Sequence, residues 1–146
     1  SRTVPVDRFH VMPVENHRAE TVLSQGEMIT RIILPKPGKN LYSAYRKVRA
    51  RQSWDFALAG AALALEMDAD TVKSARVFLS GAAPVPWRSR PVEDAVTGKK
   101  LDDSIIRKAA KAVVQEADPL PGNAYKTDLF KGLIEEELHI VRRNHE

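Results

Sequence analysis

Residues 57–67 decide what this chain can fold into. The run Ala57-Leu58-Ala59-Gly60-Ala61-Ala62-Leu63-Ala64-Leu65-Glu66-Met67 is dominated by Ala and Leu, which gives it strong local helix propensity. It is followed by Asp68-Ala69-Asp70, and then by a stretch from Val72 to Leu79 that alternates like a strand. Two strands closed on that acidic turn are the rival reading. The residues alone leave both open.

The flanking segments are easier to read. From Tyr42 to Arg49 the chain alternates, with Tyr42, Ala44, Arg46 and Val48 on one face and Ser43, Tyr45, Lys47 and Arg49 on the other. Glu27 to Leu34 is rich in β-branched residues and predicts a further strand, ended by Pro35, Pro37 and Gly38. Residues 1–25 predict irregular structure with short extended pieces, anchored by Phe9, Val11 and Met12. Ala83-Pro84-Val85-Pro86 closes the strand region, because Pro lacks a ladder donor.

Three helices are expected after it. Pro91 suits a first helical position, with Glu93 in the favourable first turn and Gly98 at the stop. Asp102 or Asp103 can cap the second, whose apolar stripe is Ile106, Ala110, Val113 and Ala117. Asn123 can cap the last, which carries Leu129, Phe130, Leu133, Ile134, Leu138 and Val141. Strands first and helices second imply an α+β layer with the helices on one sheet face.

Composition narrows function. The chain holds 146 residues, one domain or one plus part of a neighbour, and its 43% hydrophobic and 29% charged shares are those of an ordinary soluble protein. The opening Ser1-Arg2-Thr3-Val4-Pro5-Val6 has no apolar signal region and no initiator Met, which predicts a start inside a longer protein or after a tag. No apolar run approaches the roughly 20 residues that span a bilayer. There is no Cys, so thiolate catalysis and Cys-ligated zinc or iron–sulfur clusters are excluded within the chain. The expected compartment is the cytoplasm, with the periplasm as the alternative. The net charge of +4 reads as a mildly basic surface. No known nucleic-acid module is present.

No self-contained active site emerges. His10, His17, His139 and His145 form no i, i+3 or i, i+4 pair for a metal. Glu135-Glu136-Glu137 reads as a solvated helix face. Ser53 and Ser80 sit near no evident base. The seven Gly make neither a Walker sequence nor a GxGxxG fingerprint. One loop stands apart: Gly81-Ala82-Ala83-Pro84-Val85-Pro86-Trp87-Arg88 sets a Trp and an Arg just after a strand, as a packed edge or a cover for a planar ligand.

In order and spacing, several segments resemble the FAD-binding medium subunit of molybdenum hydroxylases. They are Tyr45-Arg46-Lys47-Val48-Arg49-Ala50-Arg51 followed by Trp54-Asp55-Phe56-Ala57-Leu58, then Arg76 through Arg88 with Glu93 and Gly98, then Gly122-Asn123-Ala124-Tyr125-Lys126 running into Leu129. The Trp87-Arg88 pair is closest to the aldehyde oxidoreductase branch. Phe9 to Pro13 and Glu20 to Thr30 resemble the end of that subunit's FAD-binding domain. The resemblance implies two parts, residues 1–38 as a remnant of the FAD-binding domain and 39–143 as the C-terminal domain. It implies an α+β fold, a small antiparallel sheet of three to four strands packed against three C-terminal helices, and so makes 57–67 a strand.

It further implies a share in a multi-subunit molybdenum-dependent oxidoreductase. There, FAD takes electrons from iron–sulfur clusters on a small subunit, fed by a molybdopterin-binding large subunit, and passes them to an acceptor. The cofactor-binding candidates are Lys47, Arg49 and Arg51 on the strand and its exit, with Trp87 and Arg88 on the loop; a cation near the ring favours the anionic reduced flavin. The family's glycine-rich flavin motifs lie upstream of this sequence, so the chain alone is expected to bind FAD weakly and to be inactive. The alternative from a different class is a non-catalytic protein–protein interaction module, in which the loop and the basic strand need not converge.

Overall fold

The Ala-rich run is a strand. The computed structural model describes residues 1–52 and 54–144; Ser53 and His145 lie outside the described residues. Four strands, β1 (Leu41–Val48), β2 (Ala59–Asp68), β3 (Thr71–Ser80) and β4 (Trp87–Arg88), form one antiparallel sheet in the order β1-β2-β3-β4. Three helices follow, α1 (Arg90–Val96), α2 (Asp103–Ala112) and α3 (Tyr125–Arg143). This is the α+β architecture expected.

Tertiary packing overrides propensity in β2. Ala59, Ala61, Leu63, Leu65 and Met67 are buried toward the helices, and Val72, Ala75, Val77 and Leu79 of β3 join them. Val92 and Val96 of α1, Ile106 and Ala109 of α2, and Phe130, Leu133, Ile134, Leu138 and Val141 of α3 close the core from the other side. Each large aliphatic side chain buried here contributes about 1.5–3 kcal/mol. The small Ala side chains of β2 let the helices approach the sheet closely. A bulge between Glu66 and Met67 carries the β2–β3 hairpin into its turn, where Ala69 takes φ 50°.

The helix signals hold in part. Asp102 Oδ1 accepts from the Ile105 N–H at 2.8 Å, capping α2. Gly98, at φ 73°, follows α1 in the left-handed region that glycine occupies without strain. Four expectations fail. Residues 27–34 form no strand: Met28, Ile29, Ile32, Ile33 and Leu34 are all exposed, and no described strand lies beside them to complete a ladder. Ala117 is exposed, because α2 ends at Ala112 and the stripe runs instead through Ala109 and Ala112. Asn123 does not cap α3; the N-cap is Ala124 without a side-chain bond. Glu137 is buried, not solvated. Residues 1–25 do contain short extended pieces, with one bridge between His10 and Thr21.

Candidate functional site

Side chains directly paired across an antiparallel ladder share a face. The register therefore sorts the sheet into a helix-covered face and an open one. Arg46, Ala61, Leu79 and Trp87 make one row, and it faces the helices, since Arg46 Nη1 meets Glu136 Oε1 at 2.7 Å and Glu137 Oε1 at 3.1 Å on α3. The next row, Lys47, Gly60 and Ser80, lies on the open face. So does the row Tyr45, Ala62, Phe78 and Arg88. Tyr45 is 60% exposed and Phe78 36%, whereas Arg88, at the sheet edge, reaches Glu93 of α1.

Gly60 shapes this face. A Cβ there would stand 2.2 Å from Ser80 Oγ and 3.4 Å from the Tyr45 hydroxyl. The two hydroxyls thus lie over a backbone that offers no side chain of its own, in the row that Lys47 begins. Ser80 Oγ is shielded and meets no partner among the described residues. A shielded, unsatisfied hydroxyl is costly, so a ligand laid on this face gains the Ser80 hydroxyl only if that side chain turns outward. Gly60 was the legible signal: a Gly inside a strand marks close approach of something to the backbone. Tyr45, Gly60 and Ser80 become a set only once the register is known.

Arg49 and Arg51 continue from β1 into the 49–58 loop and are exposed. Arg51 Nε pairs with Asp55 Oδ2 at 3.3 Å. The same loop holds Trp54 at 100% and Phe56 at 93% exposure. The structure therefore brings Lys47, Arg49 and Arg51 to one end of β1.

It does not bring Trp87 and Arg88 to them. β1 and β4 are the two edges of the sheet, three strand spacings or about 14 Å apart. Trp87 belongs to the helix-facing row and packs against the core. The Arg88 guanidinium is clamped to the buried Glu93 carboxylate, with Nε at 2.8 Å from Oε1 and Nη2 at 2.9 Å from Oε2. Glu93 Oε1 also accepts from the Val77 N–H at 3.0 Å. This fork raises the Arg88 pKa further above its ordinary value, the Glu93 hydrogen bonds outweighing the cost of burial.

Among the described residues no group of three or more His, Asp or Glu could hold a metal ion, and no helix is long and apolar enough to cross a membrane.

Comparison with known proteins agrees with this architecture. The chain is 34% identical over 137 residues to the aldehyde oxidoreductase FAD-binding subunit PaoB of Escherichia coli, covering 90% of this chain and 38% of that subunit. It is 31% identical over 99 residues to the glyceraldehyde dehydrogenase medium chain of Sulfolobus acidocaldarius, covering 68% of this chain and 34% of the other. The solved carbon monoxide dehydrogenase of Hydrogenophaga pseudoflava superposes with a TM-score of 0.81 at 26% identity, over 97% of this chain and 49% of that one. The chain thus spans a third to a half of the length of these relatives. The profile of the CO dehydrogenase flavoprotein C-terminal domain matches residues 43–139, and this chain belongs to that family.

Proposed function

We propose that this chain is the C-terminal part of the FAD-binding medium subunit of a molybdenum hydroxylase, and that its open sheet face borders the flavin ring. On this reading residues 1–38 are the end of the FAD-binding domain, and 39–143 the C-terminal domain. Partners follow from the same reading: a large subunit carrying molybdopterin and a small subunit carrying iron–sulfur clusters, the latter in keeping with a chain that has no Cys. The assembly works in the cytoplasm, where a Cys-free chain is at no disadvantage.

The observation that carries the site is the row Lys47, Gly60 and Ser80 with the Tyr45 hydroxyl above it. The residues fit a planar polar ring. Gly60 adds no side chain to the face, the half-exposed Tyr45 presents its hydroxyl to ring carbonyl or N–H groups, and Ser80 Oγ, which lacks a partner among the described residues, joins it on turning outward. FAD, when bound, would collect single electrons from the donor clusters and pass them on to the final acceptor. The chain's own part is electrostatic and steric. Lys47 places a positive charge beside the ring edge, which favours the anionic reduced form. Arg49 and Arg51 extend that field along the loop. Trp87 and Arg88 take no part in this contact; the Trp is packed under the helices and the Arg is spent on Glu93.

Titration of the 146-residue chain with flavin mononucleotide, followed by amide and side-chain NMR shifts, tests the reading. Expected are shifts at Tyr45, Lys47, Gly60 and Ser80, with a dissociation constant weaker than about 1 µM. Lys47→Gln should weaken that binding. Shifts confined to the helical face would overturn the proposal.

A further inference from the structure

Met28, Ile29, Ile32, Ile33 and Leu34 meet no core: each is between 56% and 79% exposed. Among the described residues no hydrogen bond reaches the backbone of residues 28–37. The nearest flank that stretch, from the Glu27 N–H to the Ser24 carbonyl at 3.0 Å and from the Leu41 N–H to the Gly38 carbonyl at 3.3 Å. Apolar side chains and a backbone ladder are thus both left open on the same short segment. We propose that residues 28–34 are a strand that enters a sheet in another part of the same subunit, with Met28, Ile32 and Leu34 turned to that part's core. This rests on the reading of the chain as the C-terminal part of a FAD-binding medium subunit, and it adds which segment joins it to the remainder.

Three observations carry this. First, the residue types suit a strand. Ile29, Thr30, Ile32 and Ile33 are β-branched, which favours the pleated sheet over the helix. In a strand Met28, Thr30, Ile32 and Leu34 share one face and Ile29, Arg31 and Ile33 the other. The first face carries no charge, whereas Arg31 interrupts the second. One dry face and one part-wet face belong to a sheet packed on a single side.

Second, both ends are defined. The Glu27 carboxylate accepts from Arg2 Nη2 and from the Ser24 N–H, each at 2.7 Å, which fixes the chain where the segment starts. Pro35 and Pro37 lack ladder donors, so pairing stops after Leu34. The span between is of ordinary strand length.

Third, the occupant follows from what the chain leaves uncovered in its relatives. It matches 38% of the PaoB subunit and 49% of the carbon monoxide dehydrogenase chain, so more than half of each lies outside the match, enough for a sheet of its own. The sheet described above does not take the segment up: β1, which follows it in sequence, pairs with β2 alone. An apolar strand left unpaired is a template for aggregation, and a sheet within the same subunit removes that hazard.

The test is hydrogen exchange, read by mass spectrometry, on the FAD-loaded medium subunit expressed from its whole gene and on the 146-residue chain. Expected is amide protection of residues 28–34 at least about 100-fold higher in the subunit, with residues 59–68 protected alike in both. Ile32→Asp should lower the melting temperature of the subunit by about 5 °C or more, and Ile33→Asp by clearly less. Both side chains are exposed in the 146-residue chain, so neither variant should shift its melting. Unprotected amides at 28–34 in a subunit that holds FAD would sink the inference and leave the flavin reading standing. A whole-gene product that takes up no FAD would sink the flavin reading, and the inference with it. Concentration-dependent protection in the 146-residue chain would assign the strand to a second copy and so refute the inference, as would equal losses from the two variants.

Discussion

Arg46 Nη1 donates to Glu137 Oε1 at 3.1 Å, across 91 positions of sequence, and joins the first strand to the last helix. The two ends differ: the Glu137 side chain is 5% exposed and that of Arg46 39%. Glu136 adds a second, surface contact to the same nitrogen. Removing the cation strands a buried carboxylate, whereas removing the carboxylate leaves an Arg that can reach water. Arg46→Met should therefore cost about 2–3 kcal/mol and Glu137→Leu only about 1 kcal/mol. Urea denaturation of both variants checks the order; equal losses would mean that the pair adds nothing beyond packing.

The Glu93 carboxylate serves three donors, the Val77 amide and two nitrogens of Arg88. Glu93→Ala leaves a buried N–H and a guanidinium unmatched and should cost about 3–5 kcal/mol. Glu93→Gln keeps an acceptor and should cost about half as much. Thermal melting of the two variants gives the comparison.

Gly60 cannot take a side chain while Ser80 keeps its rotamer, because the added Cβ would stand 2.2 Å from Ser80 Oγ. Gly60→Ala should cost about 1–3 kcal/mol through overpacking. Adding Ser80→Ala removes the clashing atom and should return most of that loss. Non-additivity in this double-mutant cycle is the readout.

Acid should weaken the fold through two exposed pairs. Asp70 meets Lys100 and Asp103 meets Arg142, each at 2.6 Å. Hydrogen bonding to the cation, with its charge, holds both carboxyls below the ordinary aspartate range. A carboxyl with a lowered folded pKa binds its proton less readily when folded than when unfolded. Its contribution is thus present above about pH 3.9 and lost as pH falls below it. Denaturation midpoints between neutral pH and pH 2.5 should drop more steeply for the native chain than for an Asp70→Asn, Asp103→Asn variant, and salt should shrink the difference.

Alkali acts on Tyr42. Burial, and then the nearby Glu137 carboxylate, raise its phenol pKa, with Arg46 pulling the other way. A raised folded pKa means that stability is complete below about pH 10 and is lost as pH rises through the folded value. Tyr42→Phe should remove that alkaline loss, read as the slope of stability between pH 9 and pH 11.

Local patterns already carried much of this molecule. The alternation from Tyr42 to Val48, the Asp102 cap, the Gly98 stop and the apolar stripe of α3 depend on neighbours three or four residues away, so they are legible in one dimension. Whether 57–67 is helix or strand was not, because Ala and Leu favour helix locally and only the partners β1 and β3 on either side override that. Residues 27–34 show the converse: strand-like composition without a strand beside it makes no strand. Glu137 looked like one of three solvated acids, since its partner lies on the far side of the chain's sequence. The basic strand and the tryptophan loop likewise looked like one surface. Sheet order put them on opposite edges, and pleat parity turned Lys47 outward and Trp87 inward, because a side chain's face is set by register and register is a property of paired strands.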